Sequence, residues 1–120
     1  MSKKTLVIGA SPKPYRYSNR AVHALLDNGH DVVALAKRAN HINGISIQTE
    51  FPDNKDIHTV TMYIGAPHQP EYYEPILKLR PRRVIFNPGA ENPEFYNKLE
   101  REGIEAIEAC TLVMLATSQY

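Results

Sequence analysis

What most constrains this chain is an alternation. Short β-rich runs, TLVIG (5–9), DVVALA (31–36), TVTMYIG (59–65), RVIFN (83–87) and IEAIEA (104–109), are separated by stretches of helical spacing. Short apolar runs rich in β-branched residues suit strands buried in a sheet. Residues 19–28 bring Ala21, Val22, Ala24, Leu25 and Leu26 to helical spacing, with Ser18 or Asn19 as the N-cap and Gly29 as the C′ residue. Residues 70–79 read as a second helix, with Pro75 disturbing its middle. Residues 93–102 read as a third, opened by Pro93 and closed by Gly103. Residues 111–117 form a short terminal helix or an extended tail.

The segment 37–56 is the least regular. It carries turn signals at Asn43-Gly44 and Pro52-Asp53-Asn54, with a short extended piece at 45–47. Strands joined by helices predict a parallel sheet covered on both faces. The expected architecture is therefore an α/β, Rossmann-like, doubly wound parallel five-stranded sheet of strand order 3-2-1-4-5. With 120 residues it is expected to be one domain over 1–120.

A net charge of +1 gives no basic arm, so nucleic acid is not expected as a partner. One cysteine excludes an internal disulfide and suits a reducing compartment. MSKK leads straight into a strand pattern without a signal core, and the longest apolar run, 112–116, is too short for a bilayer. The expected setting is cytoplasmic, with no membrane contact. The five histidines share no ligand spacing with Cys or carboxylates, so no metal is expected.

In such sheets, ligands sit beyond the carboxyl ends of the strands, beside strand one. That points to four loops. The first, GASPKPYRYSNR, offers Gly9, where backbone can approach a ligand, then small Ala10 and Ser11 with its hydroxyl. Tyr17 precedes a helix start at Ser18-Asn19 whose free amides favour a phosphate, and Lys13, Arg16 and Arg20 add charge. G-x-G-x-x-G fails after its first glycine, so the loop is not of the dinucleotide type. After strand two stand Lys37 and Arg38, where NAD-binding folds place an acid for the ribose. Two cations there suit a phosphorylated ribose, as in NADP or coenzyme A.

The third loop supplies Gly65, Ala66 and Pro67, small and stiff enough to lie over a flat ring or a chain, then His68. His68 has no Ser, Cys or carboxylate in register and reads as loop structure or a ligand contact. The fourth supplies Asn87, Pro88 and Gly89, an amide at a strand end followed by a tight turn. Cys110, at the end of strand five, reads as structural, with a ligand's far end as the other reading. No catalytic set is visible.

With Gly9-Ala10-Ser11-Pro12, Ser18-Asn19, Gly65-Ala66-Pro67 and Asn87-Pro88-Gly89 in place, the chain resembles the small single-domain CoA-binding proteins. These are similar to the CoA-binding domain of the succinyl-CoA synthetase alpha subunit. The resemblance spans residues 4–115, and its most specific part is G-x-S-x-x-x-x-x-x-S-N from Gly9. It implies a Rossmann-like fold holding coenzyme A or an acyl-CoA, without chemistry of its own. It also implies Gly9, Ser11, Ser18 and Asn19 around the diphosphate, Ala66 and Pro67 beside the adenine, and Asn87 and Gly89 along the pantetheine. Lys37 departs from the family's usual Asn-Pro. The synthetase's phosphohistidine belongs to a second domain, so ligase activity is not implied. The alternatives are an NADP-binding oxidoreductase or redox-sensor subunit, and a structural or interaction subunit with a vestigial pocket, whose ending TLVMLATSQY packs on a second copy; the expected protein partner is a homodimer mate or an unknown partner enzyme.

Overall fold

The computed structural model describes residues 2–53 and 55–120. Met1 of MSKK and Asn54 of the turn expected at Pro52-Asp53-Asn54 lie outside the described residues. The strands are β1 (Thr5–Ile8), β2 (Val32–Leu35), β3 (Asn40–Ile42), β4 (Ile45–Gln48), β5 (Thr59–Met62), β6 (Arg83–Phe86) and β7 (Glu105–Glu108). The helices are α1 (Tyr17–Asp27), α2 (Tyr73–Leu79), α3 (Pro93–Arg101) and α4 (Thr111–Ala116). This is an α/β fold on one mostly parallel sheet.

The sheet has 7 strands in the order β3-β4-β2-β1-β5-β6-β7, which corrects the expected five strands in the order 3-2-1-4-5. The run TVTMYIG belongs beside β1, in register Thr5↔Thr59 to Ile8↔Met62, and not outside β2. Its residues explain why. Thr59, Val60, Thr61 and Met62 are all buried, a pattern that suits the middle of a sheet. The place outside β2 is taken by β4, the short piece expected at 45–47, which pairs at Ala34↔Ile47 and Leu35↔Gln48. β3 then folds back antiparallel on β4. Asn43 (φ 47°) and Gly44 (φ 82°) form the connecting turn, and two positive φ angles in succession fit the tight hairpin that Asn-Gly favours.

Alternate residues of β1 point to opposite faces, and each face meets its own pair of helices. Leu6 and Ile8 join Ile76 and Leu79 of α2 and Phe95 and Leu99 of α3. Val7 joins Val22 and Leu25 of α1 and Met114 and Leu115 of α4. Fully burying a side chain of this size contributes about 1.5–3 kcal/mol, so the two faces together hold the sheet. Met114, Leu115 and Tyr120 of the chain's ending pack on this same core, leaving Val113 as its exposed large apolar side chain.

Two helix boundaries differ from expectation. α1 begins at Tyr17 with Arg16 as its N-cap, so Ser18 and Asn19 lie inside the first turn, both buried. The turn closed by Arg16 N on Lys13 O (3.1 Å) starts the helix early. Its other end is as expected: Gly29 (φ 81°) donates to Leu26 O and His30 to Leu25 O, a Schellman closure. The helix expected at 70–79 is a 3₁₀ turn, Pro70–Tyr72, followed by α2, and a further 3₁₀ turn, Ala66–His68, precedes it. Pro75 therefore falls in the first turn of α2, where its missing N–H removes no intrahelical bond.

Candidate functional site

A cavity of about 410 Å³ opens at the carboxyl ends of β1, β5, β6 and β7. One wall is Gly9, Ser11, Arg16, Tyr17 and Ser18, the passage from β1 into α1. The other is Tyr63 after β5, Asn87 and Pro88 after β6, and Cys110 and Leu112 where α4 begins. The walls differ in chemistry.

The first carries the start of α1. Arg16 gives α1 no side-chain cap, and no acidic residue stands in its first turn. The first helical bond runs from Arg20 N to Arg16 O, so the amides of Tyr17, Ser18 and Asn19 precede the helical ladder. Such amides and the positive end of the helix favour a negative ligand. Asn19 supports the loop from inside, its Nδ2 donating to Ser11 O at 2.9 Å. Ser11 Oγ accepts from Lys13 N at 3.2 Å. Gly9 and Ala10 do not offer amides to this wall, because both donate to Leu35 O at 2.9 and 3.1 Å. Glycine is required at position 9 by its φ of 92°, and because a Cβ there would lie 2.8 Å from Ile64 Cγ2.

The second wall is uncharged. Asn87 is fully engaged: Nδ2 donates to Thr61 Oγ1 (2.7 Å) and Met62 O (2.9 Å), and Oδ1 accepts from Thr111 N (2.9 Å). It ties β5, β6 and α4 together where they meet the cavity. The Tyr63 hydroxyl is buried and makes no well-formed hydrogen bond among the described residues. Burial pushes its pKa up to about 12, the neighbouring Thr111 and Thr61 hydroxyls opposing this only in part.

Of the residues expected from sequence, Gly9, Ser11, Arg16, Tyr17, Ser18, Asn87 and Pro88 share the cavity. Lys37 does not line it. Its ammonium pairs with the Glu71 carboxylate, which raises the Lys37 pKa, and lies 5.8 Å from the Tyr72 ring centre. Lys13 and Arg38 are exposed away from the lining. Gly65, Ala66 and Pro67 form and cap a 3₁₀ turn outside it. Gly89 (φ 93°) donates to Glu91 Oε1 at 2.9 Å in the turn before α3. His68 is exposed. Among the described residues no group of three or more His, Cys, Asp or Glu could hold a metal ion, and no helix is long and apolar enough to cross a membrane.

Tyr63 and Leu112 were not singled out from the sequence, and Cys110 was read mainly as structural. The signal for Tyr63 is strand order. Once β5 lies against β1, the residue after its last pair must stand beside Gly9.

Residues 3–116 match the family described as CoA binding domain. The chain belongs to that family. A crystal structure of a protein described as uncharacterized superposes with TM-score 0.97 at 40% identity, covering 100% of this chain and 99% of that one. A hypothetical protein from Pyrococcus horikoshii OT3 superposes with TM-score 0.87 at 26% identity, covering 97% of this chain and 83% of that one. An oxidoreductase from Bacillus cereus shares the fold alone, with TM-score 0.63 at 17% identity over 89% of this CoA binding domain chain and 34% of its own. No curated protein matches.

Proposed function

We propose that the cavity binds coenzyme A or an acyl-CoA, with the diphosphate against the start of α1, as in a Rossmann-like nucleotide site. The observation that carries this reading is the first wall: an uncapped, acid-free helix start with Arg16, Ser11 and Ser18 around it, in a chain of the CoA binding domain family. In this reading the module holds its ligand without chemistry of its own. The Lys37–Glu71 pair bears equally on coenzyme A and on NADP, because both carry the ribose phosphate that this cation was expected to meet.

Calorimetric titration with CoA, dephospho-CoA, NAD and NADP tests the reading. CoA is expected to bind and NAD not to. Arg16→Ala is expected to weaken CoA about ten-fold, as for loss of a hydrogen bond to a charged group. Binding of NAD without binding of CoA overturns the assignment.

A further inference from the structure

The second wall carries an apolar side chain that the fold does not use. Leu112 lines the cavity and is half-buried, and among the described residues it joins neither hydrophobic core. The helical repeat explains this. Thr111, Met114 and Leu115 of α4 are buried, which leaves Leu112 to the cavity and Val113, 57% exposed, to solvent. Cys110, just before the helix, is also half-buried and lines the same wall. Its free thiol behaves as a small apolar group. A leucine left open to water in a cavity gains by being covered.

The side chains of this wall are poorly matched to amides. Asn87 is its amide side chain, and both Nδ2 hydrogens are taken by Thr61 Oγ1 and Met62 O. Pro88 has no N–H to give. Arg16, Ser11 and Ser18 belong to the other wall. An amide of the coenzyme's arm set against the Leu112 and Cys110 side chains would lose water without gaining a side-chain partner. A hydrocarbon chain in the same place would bury apolar surface at no polar cost. A cavity of about 410 Å³ is near the lower end of ligand sites, roughly 300–1,000 Å³, which suits a short chain. Resting on the CoA reading above, we propose that Leu112 and Cys110 seat a short saturated acyl chain, so that the ligand is an acyl-CoA in preference to free CoA.

The test is calorimetric titration of the wild type with CoA, acetyl-CoA and butyryl-CoA. Affinity is expected to rise from acetyl-CoA to butyryl-CoA by about four-fold for each methylene buried. Leu112→Asn keeps the size of the side chain and removes its apolar surface, and is expected to bring the affinity ratio of butyryl-CoA to acetyl-CoA close to unity. Val113→Asn, one residue on and outside the cavity lining, is expected to keep the wild-type ratio. Melting curves check that both variants are folded, and the wild-type series stands as a test without them. Equal affinity for CoA, acetyl-CoA and butyryl-CoA overturns the acyl seat and leaves the CoA reading intact. A rise with chain length that Leu112→Asn does not reduce overturns the place given to the chain. Failure of the wild type to bind CoA or either acyl-CoA overturns the CoA reading itself, and the acyl seat with it.

Discussion

The two ends of the sheet each present a tyrosine, and the two are used in opposite ways. At the amino end the Tyr120 ring lies 5.0 Å from the His30 ring centre and 4.4 Å from the Arg83 guanidinium carbon. Its hydroxyl bonds with Thr5 Oγ1, and Arg83 Nε donates to Thr59 Oγ1 at 2.9 Å. Thr5, Thr59 and Arg83 are the first residues of β1, β5 and β6, so one side chain closes the ends of three strands. Arg83 Nη2 makes no hydrogen bond, and the ring contact stabilises that cation instead. At the carboxyl end the Tyr63 hydroxyl is buried without a well-formed bond among the described residues, and a cavity opens beside its residue. Side chains close the amino end, while a cavity opens at the carboxyl end. The open end is where the proposed ligand would sit.

Substitutions can break this comparison. The largest effect is expected for Tyr120→Ala, which empties the amino end. Removing a buried aromatic ring costs about 3–5 kcal/mol, and denaturant unfolding is expected to show a loss at the lower figure, about 3 kcal/mol. A loss below about 1 kcal/mol would mean that the ring does not close the strands. Next is Asn87→Ala at the carboxyl end. It strands Thr111 N, which Asn87 Oδ1 satisfies, and leaves a buried void. The expected loss is about 2–3 kcal/mol in the same measurement. The open end thus has a firm frame, and only its inner surface is unsatisfied.

Conservative changes sharpen the contrast. Tyr120→Phe removes the bond to Thr5 Oγ1 and is expected to cost about 1 kcal/mol. Tyr63→Phe removes a hydroxyl with no well-formed bond and is expected to cost nothing, or to stabilise slightly. Paired melting curves check both. Equal losses in the two variants would erase the distinction between the ends.

Much of this frame is legible in the sequence, and what escapes does so for physical reasons. β1, β5 and β6 stand out because they are buried at every residue, so their apolar and β-branched content is high. β4 is legible only as a short extended piece and not as a strand of the sheet, because Ser46 and Gln48 are exposed and only two of its residues pair with β2. That missing strand shifts TVTM outward in the expected order and hides Tyr63 from the site. The passage from β1 into α1 is legible as a cavity wall from Gly9, Ser11 and Ser18. The engagement of Lys37 is not, because its partner Glu71 is 34 residues away and reaches it only in the folded chain. Asn87 is legible as important, but a strand-end amide reads equally as a ligand contact and as a brace, and its three bonds make it a brace.

The smallest expected effect again belongs to the closed end. His30 is held below its ordinary pKa of 6.5 by burial first, then by Lys3 and Arg83. His58 is held below 6.5 by burial first, then by Arg83, Lys3 and Arg82, with Glu105 opposing. Both rings are engaged when folded: His30 Nδ1 accepts from Lys3 N at 2.9 Å, and His58 Nδ1 lies 2.7 Å from Thr59 Oγ1. A lowered histidine pKa means that the unfolded chain binds the proton more readily than the folded one. The stabilisation is therefore present above pH 6.5 and is lost as pH falls from there through the lowered folded values. Both rings are partly exposed, so solvent screens the effect and the expected drop in Tm between pH 7.5 and pH 5.5 is modest. Melting curves of His30→Gln/His58→Gln at the same two pH values are expected to show a smaller drop than the wild type. If the double variant loses as much as the wild type, the acid sensitivity arises elsewhere, and the amino end is not the pH-dependent half of the molecule.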